Sequence, residues 1–139
     1  MAVFSLSDLS KNLPGSHVIG TAVFSHLSTD TRSLAVGDLF VALVGPNFDG
    51  HEFIAQAQNQ GACAALVSKE IDTDLPLIVV PDTRIALGQL AAIKRQSLNG
   101  QFVAVTGSSG KTTVKEMLQK VLFQAGEVEV TQGNFNNDI

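Results

Sequence analysis

FVAVTGSSGKTTVKEML, residues 102–118, is the stretch on which the reading of this chain turns. Phe102-Val103-Ala104-Val105 is a short apolar, β-rich run and predicts a strand buried on both faces. From Thr112 onward the apolar positions Val114, Met117, Leu118, Val121, Leu122 and Ala125 recur at helical spacing, and Gly126 supplies a stop. Between the two lies Gly107-Ser108-Ser109-Gly110, with Lys111 at the helix start. Glycines let a chain turn tightly and bring its N–H groups close to a ligand. The unpaired N–H groups and partial positive charge of a helix N-terminus favour an anion. Lys111 is placed to reach outer phosphates and the hydroxyl of Thr112 to ligate Mg²⁺, so the pattern predicts a phosphate loop. Its spacing is not the generic one, which needs a glycine five residues before Gly110, where Val105 stands. The competing reading is a Gly/Ser turn followed by a solvated lysine. The strand before and the helix after favour phosphate.

Composition bounds the rest. The chain has 139 residues, 45% hydrophobic and 16% charged, which suits one ordinary domain or two small ones with apolar material for a core. A net charge of −4 with no basic stripe argues against a general nucleic-acid binder, and Lys94-Arg95 reads as a solvated helix face. No apolar run approaches a membrane span, and no basic segment precedes a hydrophobic one at the N-terminus. Cys63 is the single cysteine and opens the apolar run Cys63-Ala64-Ala65-Leu66-Val67, where it reads as a small buried hydrophobe. Together these features point to the cytoplasm. Three scattered histidines and one cysteine have no zinc-ligand spacing.

Along the chain, Ser5-Leu6-Ser7-Asp8 has the form of a helix N-cap, and Pro14-Gly15 ends that short helix. Residues 21–29 predict a strand, followed by the polar cluster Thr29-Asp30-Thr31-Arg32. Gly37-Asp38 turns the chain into an apolar strand over 39–44, and residues 45–50 form a loop rich in turn residues. Residues 51–60 place Phe53, Ile54 and Ala57 on one helical face, with Gly61 at the C-terminal stop. Residues 63–67 and 77–80 are two more strand candidates. The alternation predicts a layered α/β domain over residues 1–82. Asp82 is set to cap a helix over 83–97, with Ile85, Leu90, Ala91 and Ile93 as inward candidates. Asn99-Gly100 then leads into the phosphate loop. A last strand candidate covers 127–131, followed by Gly133-Asn134-Phe135-Asn136-Asn137. Residues 83–139 thus offer two strands, too few to cover a parallel sheet, and no later strand ends in a carboxylate opposite Thr112. On physical grounds the second unit is expected to be the opening of a larger one.

Several blocks, in order and at matching spacing, carry a family resemblance: Thr29-Asp30-Thr31-Arg32, Gly37-Asp38-Leu39-Phe40-Val41-Ala42-Leu43, Asp49-Gly50-His51 with Phe53, the phosphate loop over 106–112, and the asparagine block over 133–137. Across nearly the whole chain these resemble the N-terminal part of the Mur ligases, bacterial enzymes that add amino acids to the peptidoglycan precursor. The short phosphate loop is the form that family uses. Ser108-Ser109 is similar to the member that joins D-alanyl-D-alanine to UDP-N-acetylmuramoyl-tripeptide, where the diaminopimelate- or lysine-adding member usually has Thr-Asn.

The resemblance implies a small N-terminal α/β UDP-binding domain followed by the start of a P-loop ATPase domain, in an enzyme of three domains that is monomeric at full length. It also implies ATP and Mg²⁺. ATP would phosphorylate the peptide carboxylate, and the amine of D-alanyl-D-alanine would attack the resulting acyl phosphate. Gly107, Ser108, Ser109, Gly110, Lys111, Thr112 and Thr113 would hold the ATP phosphates. Lys111 would offset charge on the transferring group and Thr112 would ligate Mg²⁺. Thr29, Thr31, Pro46, Asn47 and Phe48 would bind the UDP part, and Asn134, Asn136 and Asn137 would line the cleft beside the loop. The family's metal-binding glutamate and modified lysine have no counterpart in these residues. Other readings stay open: Asp30 and Arg32 as a pair across a turn, His51 as a packed helix-start residue, the asparagines as turn chemistry, the chain as part of the diaminopimelate- or lysine-adding member, as a UDP-sugar-binding module without catalysis, or as a P-loop NTPase of another kind.

Overall fold

The computed structural model describes residues 3–131, and the chain divides into two compact units after Ser97. In the first, β1 (Phe4–Ser5) leads into α1 (Leu6–Ser10), whose N-cap Ser5 accepts from the Asp8 N–H as the sequence predicts. β2 (His17–Ile19), β3 (Val23–Phe24) and β4 (Leu27–Ser28) follow. The strand expected over 21–29 is therefore two strands in different sheets, since β3 pairs with β1 while β4 pairs with β5 (Leu39–Val41). β2 carried no strand signal of its own. It is an edge strand, antiparallel to β9 (Leu77–Val79), with His17 opposite Val79.

Beyond β5, β6 (Val44–Gly45) and β7 (Phe48–Asp49) form a tight antiparallel hairpin across the stretch expected to be a loop. A 3₁₀ turn over Gly50–Phe53 continues as α2 (Ile54–Asn59), so the helix expected from 51 starts tighter than an α-helix. β8 (Ala64–Val67) and β9 complete a five-stranded sheet in the order β2-β9-β8-β5-β4, parallel except at β2.

β5, β8 and β9 are buried along their whole length, which is why they read as continuous apolar runs. Side chains alternate between the two faces. Leu39, Val41, Ala64, Leu66 and Ile78 pack with Leu6, Leu9, Leu13, Phe24, Ala86 and Leu90 on one side. Phe40, Ala65, Val67, Leu77 and Val79 pack with Ile54 and Ala57 on the other. The first unit is thus three layers: α1 and α3 (Thr83–Ser97), the sheet, and α2.

The residues of α3 belong to this first core. Asp82 caps the helix as predicted, accepting from the Arg84 and Ile85 N–H groups at 2.8 and 3.0 Å. Thr83, Ala86 and Leu90 are buried, and the Thr83 hydroxyl donates to the Ala42 carbonyl at 2.9 Å. Compactness therefore divides the chain after Ser97, not near residue 82, because this helix face fills the first unit's core. Of the inward candidates, Leu90 and Ile93 meet that core, whereas Ile85 and Ala91 are exposed.

In the second unit the only regular element among the described residues is α4 (Lys111–Leu122). No strand is assigned over 102–105 or 127–131, and Val103 is 65% exposed rather than buried on both faces. A strand exists through the ladder it shares with a neighbour, and no β-ladder among the described residues includes either segment. The block 133–137 lies outside the described residues.

Candidate functional site

The parallel strands β4, β5 and β8 end on one edge of the sheet, and the residues expected to hold a ligand leave from that edge. In open α/β sheets the crevice beyond the C-terminal strand ends is where ligands bind. After β4, Asp30 caps a 3₁₀ turn over Thr31–Ser33, accepting from the Arg32 N–H at 2.9 Å. It also receives Arg32 Nε at 3.0 Å and Nη2 at 2.6 Å, so the pairing across a turn weighed from the sequence is present. The Arg32 guanidinium, then its backbone N–H, hold the Asp30 carboxyl down at about 2. Thr29 is exposed, whereas Thr31 is buried at 7% exposure.

After β5 the chain makes the β6–β7 hairpin, and Pro46, Asn47 and Phe48 at its tip are exposed. Phe48 stacks on Phe53, centroids 5.6 Å apart, yet keeps 47% of its surface open. The hairpin is pinned at its base. Gly50 N–H donates to the Leu43 carbonyl at 2.7 Å, and a Cβ on Gly50 would stand 2.7–2.9 Å from Leu43 and Ala42 backbone atoms. Only glycine fits that approach.

His51, its side chain only 3% exposed, ties the same base to the end of β8. Its Nε2 accepts from the Ser68 N–H at 2.9 Å, with Ser68 Oγ at 3.2 Å. The proton is therefore on Nδ1, which donates to Asp49 Oδ1 at 2.5 Å. Asp49 accepts the His51 backbone N–H as well, and Lys69 Nζ stands 3.3 Å from its other oxygen. The backbone and ring N–H groups of His51, then Lys69, hold the Asp49 carboxyl at about 2. The packed helix-start reading of His51 is the one this geometry matches. Ser68 carried no signal in the sequence, because its partner lies 17 residues away.

In the second unit Gly110 is the N-cap of α4 at φ +78°, a left-handed conformation that favours glycine. It offers no side-chain cap to the start of α4. Lys111 Nζ folds back onto the Gly107 carbonyl at 2.5 Å, across the turn made by Ser108 and Ser109. Lys111 and Thr112 are half-buried, and Gly107, Ser108, Ser109, Gly110 and Thr113 are exposed. The loop thus brings together the seven residues expected around phosphate. Asn134, Asn136 and Asn137 lie outside the described residues. Among the described residues no group of three or more His, Cys, Asp or Glu could hold a metal, and no helix is long and apolar enough to cross a membrane.

Comparison with known proteins agrees with this layout. Residues 23–95 match the model of the Mur ligase family, catalytic domain, and residues 105–139 the Mur ligase middle domain. The chain is 49% identical over 139 residues to UDP-N-acetylmuramoyl-tripeptide–D-alanyl-D-alanine ligase of Escherichia coli (strain K12), covering 100% of this chain and 31% of that enzyme. A crystal structure of MurF from Acinetobacter baumannii superposes with a TM-score of 0.81 at 39% identity, over 95% of this chain and 29% of that one. MurF ligase from Thermotoga maritima in complex with ADP gives 0.69 at 38% identity, over 80% of this chain and 26% of that one. The chain spans about a third of the length of the relatives it matches. On the family match over residues 23–95 and 105–139, the chain belongs to the Mur ligase family.

Proposed function

We propose that this chain carries the UDP-binding domain and the ATP phosphate loop of a cytoplasmic ligase that joins D-alanyl-D-alanine to UDP-N-acetylmuramoyl-tripeptide. The observation that carries the reading is that the 29–31 and 46–48 segments leave neighbouring parallel strands at one sheet edge. The E. coli relative bears that activity in its name. At this edge Thr29 and Asn47 supply donors and acceptors for a uracil and ribose, and the open face of Phe48 supplies apolar cover. Thr31, buried in the 3₁₀ turn that follows, is the second threonine assigned to the UDP contact.

Residues 107–113 fit a triphosphate. The uncapped start of α4 and the exposed loop N–H groups offer donors to phosphate oxygens, and Lys111 gives up the Gly107 carbonyl for a better acceptor. ATP supplies the phosphoryl group that activates the peptide carboxylate for attack by the amine. Lys111 sits where it would offset charge on that group, and the Thr112 hydroxyl would give Mg²⁺ one of its ligands. The rest of the protein's part is to hold the reactants in line. On this reading the enzyme works as a monomer.

An amide-resolved NMR titration tests the reading, with UDP-N-acetylmuramoyl-tripeptide and MgATP added separately. Shifts confined to residues 29–32 and 44–51 with the first, and to 107–113 with the second, are expected. A folded sample in which the UDP compound moves neither edge segment overturns the assignment.

A further inference from the structure

The Asp49–His51–Ser68 cluster has the residue types of a nucleophilic triad, but its geometry excludes that role. A triad histidine keeps Nε2 free to take a proton from the serine hydroxyl. Here Nε2 already accepts the Ser68 backbone N–H at 2.9 Å, and the ring is 3% exposed, which leaves no room for a substrate carbonyl. What the cluster does is mechanical. One end of the imidazole holds Asp49, the last residue of β7, and the other holds Ser68, the residue after β8. The ring therefore bridges the hairpin base to the rigid centre of the sheet.

We propose that His51 is a positioning residue: through Asp49 and Ser68 it fixes the β6–β7 hairpin on the sheet edge in the conformation that presents Asn47 and Phe48 to a nucleoside diphosphate. The inference rests on the reading that this hairpin receives UDP. Without the bridge, two short strands joined through Pro46-Asn47 would be held by their own ladder, the Gly50–Leu43 bond, the Phe48–Phe53 stack and the exposed Lys69–Asp49 pair. A two-stranded hairpin of that size is marginal on its own. A preorganised hairpin binds more tightly because its ordering is already done before the ligand arrives.

The bridge depends on one tautomer. A second proton on Nε2 would set N–H against the Ser68 N–H and break the β8 end of the link. Asp49 and, through it, Lys69 are the charged groups facing the ring, with Glu52 exposed beside it in the chain.

The test uses the 139-residue chain, UDP as the probe, and the variants His51→Ala and His51→Gln. Glutamine places a carbonyl oxygen near the position of Nε2 and so preserves the bond from Ser68. Without ligand, amide exchange at Gly45, Phe48 and Gly50 is expected to rise roughly tenfold or more in His51→Ala and stay near wild type in His51→Gln. Leu66 and Ile78 amides, in the core strands, should be unchanged in both. UDP affinity should fall roughly tenfold in His51→Ala and by less than about threefold in His51→Gln. Wild-type hairpin exchange in His51→Ala, or an equal loss in His51→Gln, overturns the proposal. If His51→Ala does not fold, Asp49→Ala, which releases the other end of the ring, takes its place in both measurements. If wild type does not bind UDP, the uridine reading fails, and hairpin exchange alone decides whether His51 positions this element.

Discussion

The two units of this chain answer the same kind of sequence signal in opposite ways. In the first, the apolar runs at 39–41, 64–67 and 77–79 become strands buried on both faces, held between helices. In the second, the equally apolar 102–105 run stays an exposed segment without a ladder. α4 has the apolar spacing of a packed helix yet buries no residue, and Phe123 just after it is 69% exposed. Periodicity tells which face a segment would bury. Whether it is buried depends on partners elsewhere in the chain.

Core truncation should separate the units most sharply. Leu66→Ala removes a side chain with no exposed surface and should cost about 2–5 kcal/mol in a urea melt of the first unit. Met117→Ala, on the exposed face of α4, should change stability by no more than about 0.5 kcal/mol. Equal costs would mean that α4 is packed, and would remove the contrast.

Glycines give the next largest contrast. Gly50→Ala drives a Cβ into the Leu43 and Ala42 backbone and should cost about 1–3 kcal/mol by chemical denaturation. Gly110→Ala meets nothing within 4 Å, so its cost is confined to the left-handed backbone, about 1 kcal/mol, and to α4 alone. Thr83→Val tests where the units divide. Leaving the Ala42 carbonyl without its donor should cost the first unit about 1–2 kcal/mol. No loss there would return α3 to the second unit and the boundary to residue 82.

The central strands, the caps at Ser5 and Asp82, and the glycine turn that opens α4 were legible because each is written in contiguous residues. The features that escaped are non-local. Nothing in Val23-Phe24 and Leu27-Ser28 says that they pair with different strands, and the hairpin's strands are too short to show a period. His51 could be recognised as a packed residue, but its tie to Ser68 exists only once β8 is laid beside β5. The 102–105 run shows the converse error, in which a correct local preference was read as a buried strand.

Acid should act on the first unit through Asp49. Its folded pKa, about 2, lies below the usual 3.9 or so of an unfolded aspartate. The sign follows: the group stabilises the fold above its unfolded pKa, and the contribution is lost as pH falls through the range towards 2. Asp49→Asn should therefore be less stable than wild type at pH 6, with the gap closing by pH 2. Thermal melts across that range check it, and a gap independent of pH would assign the loss to packing instead of charge.

The smallest effect on stability should come at Lys111, the residue proposed to meet the ATP phosphates. Its side chain is half-buried and its ammonium bonds the Gly107 carbonyl, an acceptor that water can replace. Lys111→Ala should thus leave both units' melting unchanged within about 0.5 kcal/mol. The same change removes the one lysine of the loop aimed across its turn, so MgATP-induced shifts over 107–113 should vanish. Lost shifts with unchanged melting would place the residue in ligand binding and not in the fold. Retained shifts would mean that the backbone N–H groups and the start of α4 hold the phosphates alone, and the loop would then need no cation of its own.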